Sequence, residues 1–136
     1  DIIVSSGGKN IAPQNIENRL KSNRFINQVF VCGDGEKYLS ALIVPDFDQL
    51  VHYARELCIE SADISFLINH EDIYARYRRI IDAVNAELPD YERIKRFTLL
   101  GNEFTPQNGE LTPTLKIKRN AVYAHYKDVI RKMYRR

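Results

Sequence analysis

Two runs of β-branched and aromatic residues set the frame of this chain. Val29-Phe30-Val31-Cys32 and Tyr38-Leu39-Ser40-Ala41-Leu42-Ile43-Val44 are separated by Gly33-Asp34-Gly35. Such runs suit a pleated, buried surface, and glycine supplies the turn between them. They are therefore predicted to pair as an antiparallel hairpin. The Gly-Asp-Gly lacks the spacing of a nucleotide phosphate loop, and no lysine-serine or lysine-threonine follows it, so it reads as a turn.

The remaining segments supply cover for that hairpin. Residues 2–5 and Ile11 flank Ser6-Gly7-Gly8-Lys9-Asn10 and predict a second, smaller hairpin. Pro13 suits a first helical position, and Ile16 and Leu20 share one face of a helix over Pro13–Lys21. Glu17, early in that helix, suits its dipole and is given no chemistry. Pro45 ends the second long strand. Asp46, with Gln49 three residues on, caps a helix whose apolar positions are Phe47, Leu50, Val51, Ala54 and Leu57.

Residues 61–69 read as a connection. Ile73, Tyr77, Ile80, Ile81, Val84 and Leu88 mark the longest helix, stopped by Pro89. Arg76, Arg78 and Arg79 fall on its other face among acidic residues and read as solvated surface. Residues 96–100 read as a strand and 101–108 as a polar loop. Val122, Tyr126, Val129 or Ile130, and Met133 mark one last helix. The order predicts an α+β domain, a small antiparallel sheet and hairpins covered by helices.

One domain is what 136 residues support, and 44% hydrophobic with 28% charged residues points to a globular fold. Twenty basic against eighteen acidic residues leave a net charge of +2. That is too small to argue for nucleic acid. Cys32 and Cys58 have no ligand-like neighbours, which predicts buried free thiols in a reducing cytoplasm. His52 has no second ligand at metal spacing, so no metal site is expected. No apolar run approaches the roughly 20 residues that span a bilayer.

Near the C-terminus, Gly109-Glu110 leads into Leu111-Thr112-Pro113-Thr114-Leu115-Lys116-Ile117-Lys118-Arg119. Pro113 fixes its own φ and pushes Thr112 towards extended geometry, which disfavours helix here. Lys116 is thus expected on a semi-rigid loop, with Ile117 anchoring it to the body of the domain. A lysine so presented is a point charge with three donors, suited to a carboxylate or phosphate in a partner's cleft.

Thr112-Pro113-Thr114-Leu115-Lys116-Ile117-Lys118-Arg119 resembles the last core motif of the adenylate-forming enzymes, usually threonine, any residue, serine, glycine, lysine, isoleucine, any residue, arginine. Thr114 stands in place of the serine and Leu115 in place of the glycine, a form similar to the long-chain fatty acyl-CoA synthetase branch. At the other end, the run from Asp1 through Gly7-Gly8-Lys9-Asn10-Ile11-Ala12-Pro13 to Glu17 resembles the superfamily's hinge-proximal motif. The resemblance covers essentially the whole chain.

The resemblance implies that residues 1–136 form the small, mobile C-terminal domain of a long-chain fatty-acid–CoA ligase. The large N-terminal domain of the same chain and the hinge residue would lie before Asp1. The reaction has two halves: a fatty acid and ATP give an acyl-adenylate, then coenzyme A displaces AMP to form the thioester. Such domains rotate between the halves. Lys116 is the implied adenylation lysine, and Gly7, Gly8, Lys9 and Asn10 form the implied wall of the pantetheine channel. ATP and magnesium would be held mainly by the large domain. Lys118 and Arg119 read as surface or interdomain contacts, and the isolated domain is expected to be inactive. A cytoplasmic location is expected, with peripheral contact at the inner face of a membrane left open.

The rival class is a freestanding basic and aromatic module. Eight tyrosines and clustered arginines would suit single-stranded nucleic acid by stacking and phosphate contact, or another interaction partner. Most of those tyrosines fall on or beside helical apolar faces, so nucleic acid is not the expected partner.

Overall fold

The structure is a computed structural model and describes residues 1–135. At its centre lie strands β3 (Ile26–Cys32) and β4 (Leu39–Pro45), paired antiparallel with Val29 opposite Ile43 and Val31 opposite Ala41. The predicted hairpin forms because both strands are apolar enough to be buried on two faces. Strand β4 is buried along its whole length.

Two shorter strands, β1 (Ile3–Val4) and β2 (Asn10–Ile11), form the small hairpin. Helix α1 spans Pro13–Lys21 with proline in its first turn, as the sequence predicts. Helix α2 (Phe47–Glu56) begins where the Asp46 carboxylate accepts a bond from the Gln49 amide at 3.0 Å. It ends in a Schellman closure: the amides of Cys58 and Ile59 donate to the carbonyls of Arg55 and Ala54, with Cys58 at φ 60°. Helix α4 (Glu71–Asn85) is the longest, and strand β5 (Ile94–Leu99) follows a short 3₁₀ turn at Asp90–Glu92.

The α+β class holds, with differences from the sequence reading. Strand β5 pairs with β4 in parallel, Ala41 beside Phe97, so the sheet is mixed rather than wholly antiparallel. The connection at 61–69 contains a one-turn helix, α3 (Ile64–Leu67), capped by the Asp63 side chain. The last helix is broken at Tyr126 into α5 (Arg119–His125) and α6 (Lys127–Tyr134), because Tyr126 leaves helical geometry at φ −112°, ψ 24°.

Each face of the three-stranded sheet has its own core. Ile16 and Leu20 of α1, Leu50 and Ala54 of α2, and Ile73, Tyr77 and Ile81 of α4 pack with Val29, Val31, Ala41 and Ile43. Phe30, Leu42 and Val44 point the other way, towards Phe104, Leu111, Val122, Ile130 and Met133. The alternation follows from the two-residue period of a strand. No helix among the described residues is long and apolar enough to cross a membrane.

Cys32 is buried as expected, and burial pushes its thiol up to about 12. Cys58 departs from expectation: it is exposed, because the closing turn of α2 faces outward.

Candidate functional site

The lysine segment is a hairpin in its own right. Leu111 and Ile117 form an antiparallel bridge, and the Thr112 amide donates to the Lys116 carbonyl at 2.7 Å. One step further out, the Lys118 amide donates to the Glu110 carbonyl at 2.8 Å. The loop between the arms is Pro113-Thr114-Leu115. It closes when the Leu115 amide donates to the Thr112 carbonyl, and Leu115 then takes φ 66°. This is the three-residue loop whose last position is left-handed and ordinarily glycine. The Thr112 hydroxyl oxygen accepts from the Lys116 amide at 3.1 Å and lies 3.1 Å from the Thr114 hydroxyl. Threonines thus stiffen the turn from within.

Lys116 is exposed at the end of this turn, and its amino group has no ion-pair partner among the described residues. Ile117 is half-buried against the second core and anchors the loop, as expected. A cleft of about 260 Å³ separates the hairpin from α1, with Asp1, Gln14, Asn18, Lys21, Leu115 and Lys116 on its walls.

Arg119 corrects the sequence reading. Its guanidinium is largely buried, donates to the Val31 carbonyl and lies 3.2 Å from the Glu17 carboxylate. Glu17 is buried too, and it accepts from the Val31 amide at 2.8 Å. Burial raises the Glu17 carboxyl above its ordinary range, against the opposing pull of Arg119. Glu17 therefore ties α1 to β3 and to the base of the lysine hairpin. Lys118 remains exposed at the start of α5. A further pair was not legible in the sequence: His125 Nδ1 lies 2.7 Å from the buried Glu110 carboxylate, below the same hairpin.

The glycine segment lies elsewhere. Gly8 takes φ 83° and closes its turn by donating to the Ser5 carbonyl at 2.9 Å, while the Ser5 amide donates to Lys9. A β-carbon added at Gly8 would meet nothing within 4 Å. The turn leans on the β3–β4 connection. The Ser6 amide donates to Glu36, the Gly35 amide to Val4, and the Val4 amide to the Asp34 carboxylate. Gly7, Gly8, Lys9 and Asn10 are all exposed, and the Lys9 ammonium sits 5.2 Å from the Tyr91 ring centre. None of the four lines the Lys116 cleft. The structure thus brings Gly7 to Asn10 together on one turn and sets Lys116 apart on another.

The features that favoured a nucleic-acid module are engaged inside the fold. Tyr38 stacks on Tyr134 and Tyr74 on Phe97, Tyr53 packs edge-on to Phe25, and Tyr77 is buried. Arg78 and Arg76 are half-buried rather than solvated. Arg78 donates to the carbonyls of Ile94 and Lys95, and Arg76 lies over Phe25.

Residues 1–136 match the family described as AMP-binding enzyme C-terminal domain. A long-chain-fatty-acid–CoA ligase of Mycobacterium tuberculosis is 33% identical over 135 residues, 98% of this chain and 22% of that protein. A peroxisomal long chain acyl-CoA synthetase of Arabidopsis thaliana is 35% identical, over 99% of this chain and 20% of that protein. The chain therefore spans about a fifth of the length of these curated relatives. Among solved structures, the didomain of a carboxylic acid reductase from Segniliparus rugosus, in complex with AMP, superposes with a TM-score of 0.77. It shares 23% identity over 98% of this chain and 17% of that one, which shows the same fold. On the whole-length match, this chain belongs to the family of AMP-binding enzyme C-terminal domains.

Proposed function

We propose that this chain works as the mobile C-terminal domain of an ATP-dependent long-chain fatty-acid–CoA ligase. Lys116 serves the adenylation half-reaction, and the turn from Gly7 to Asn10 serves thioester formation. The observation that carries the reading is the lysine hairpin, an exposed cation on a loop pinned at both arms. When a carboxylate attacks the α-phosphate of ATP, negative charge crowds the reacting oxygens. A cation held ready between them lowers the barrier without reorganising at the moment of reaction.

Coenzyme A would approach along the other turn, where Gly8 has no β-carbon to obstruct a thin pantetheine arm. The two turns are separate, so each half-reaction would require its own placement of the domain against the large domain. The described residues offer no cluster of three or more His, Cys, Asp or Glu for a metal ion. ATP and magnesium would be held mainly by the large domain.

The test is Lys116→Ala in the full-length ligase. Losing one preorganised donor slows the step it serves by about 10²–10³-fold, and a charged donor by more. Pyrophosphate exchange should fall by at least that factor, while thioester formation from supplied acyl-adenylate largely survives. Exchange at the wild-type rate would reject the assignment.

A further inference from the structure

Leu115 carries two unfavourable features at once. Its backbone is left-handed at φ 66°, and its side chain is exposed, at 67%. The other non-glycine residue with positive φ among the described residues, Cys58, is accounted for by the helix closure it completes. The turn at Leu115 accounts for the φ but not for the leucine, since glycine would close the same loop without strain. Nor does the domain use the side chain in its core, because it stands on a crest. On one side is the cleft shared with Lys116 and Asp1; on the other, a second cleft reaches Gln28, Phe104 and Pro106. Strained residues persist where the surroundings or the function require them, and here the surroundings inside the domain do not.

We infer that Leu115 is a docking residue of the adenylation pose, buried against an apolar patch of the ligase's large domain when Lys116 enters the reacting centre. The inference rests on the reading of Lys116 given above. Consecutive Cα atoms are about 3.8 Å apart and both residues line one cleft, so a surface that closes over Lys116 comes within reach of Leu115. The relatives are roughly five times longer than this chain, which leaves most of such an enzyme to supply that enclosure. In the other pose the loop swings away and the leucine is released to solvent. Its burial therefore favours one half-reaction only.

The experiment compares Leu115→Asn, Leu115→Gly and Lys116→Ala in the full-length ligase. Asparagine tolerates left-handed geometry and keeps the turn while removing the apolar group; glycine also relieves the strain. Both Leu115 variants should slow pyrophosphate exchange by roughly ten- to a hundredfold, as expected for losing a buried leucine. Thioester formation from supplied acyl-adenylate should hold, and Leu115→Gly should melt no lower than wild type. Undiminished exchange in Leu115→Asn overturns the inference. So does loss of both half-reactions together, or a loss that appears only at high protein concentration, which would assign Leu115 to a contact between copies. If Lys116→Ala keeps full exchange, the reading of Lys116 falls and takes the inference with it. If Lys116→Ala fails and the Leu115 variants do not, the docking role alone is rejected.

Discussion

Arg119 and Glu17 form a largely buried ion pair across 102 residues of chain, 3.2 Å apart. Each also bonds Val31 of β3, Glu17 at its amide and Arg119 at its carbonyl. The pair thereby joins the first helix, the sheet and the base of the lysine hairpin. The two motifs, at opposite ends of the sequence, meet in space at this point.

Removing one partner should be costly. Arg119→Ala leaves the Glu17 carboxylate buried without its cation, and Glu17→Ala does the reverse while also orphaning the Val31 amide. Either should lower unfolding stability by about 3–5 kcal/mol. Urea denaturation measures this directly; a loss well under that range would mean solvent reaches the pair.

Glu17 also sets a pH dependence. Its carboxyl is raised above the ordinary 4.5 by burial, so the folded state holds the proton more tightly than the unfolded state. The stability it contributes is fully present below the ordinary value and is lost as pH rises through the raised one. Glu17→Gln does not titrate and should lack that component. Comparing denaturation of the two proteins from mildly acidic to neutral pH should show the wild type losing ground relative to the variant as pH rises.

At Gly8, two effects can be separated. The space around its missing β-carbon is open, with nothing within 4 Å of that position. Its φ of 83° imposes strain of about 1–2 kcal/mol on any other side chain. If the turn walls the pantetheine channel, Gly8→Leu in the full-length enzyme should lose thioester formation and keep pyrophosphate exchange. Parallel loss of both, with a lowered melting temperature, would leave Gly8 only its part in the turn.

The two thiols should differ sharply. Cys58 is exposed, whereas Cys32 is buried with its thiol pushed up to about 12. A thiol-reactive chromophore should label one equivalent quickly in the native protein and the second only on unfolding. Rapid labelling of both would contradict the burial of β3.

What the sequence made legible was local. The bounds of α1, the Asp46 cap and the β3–β4 turn each depend on residues within a few positions, and each stands where predicted. The parallel contact of β4 with β5 depends on chain that returns after three helices, so nothing near Phe97 announces it. Four residues are too few for α3 to show a period, and the break at Tyr126 keeps the apolar spacing intact on either side. Glu17 looked like a dipole residue because its partner is remote. Lys116 was found through its motif, but its hairpin geometry, and the left-handed Leu115 beside it, required the structure.

Strand β3 bears on both turns at once. The glycine turn is fastened to residues 34–36 just beyond its end, and the lysine hairpin to Val31 through Arg119. Strand β3 and the turn that follows it thus hold both tips on one frame. Neither tip can reach forward alone. If Lys116 and the turn from Gly7 to Asn10 serve the two half-reactions as proposed, the domain would have to turn as one body to exchange one tip for the other.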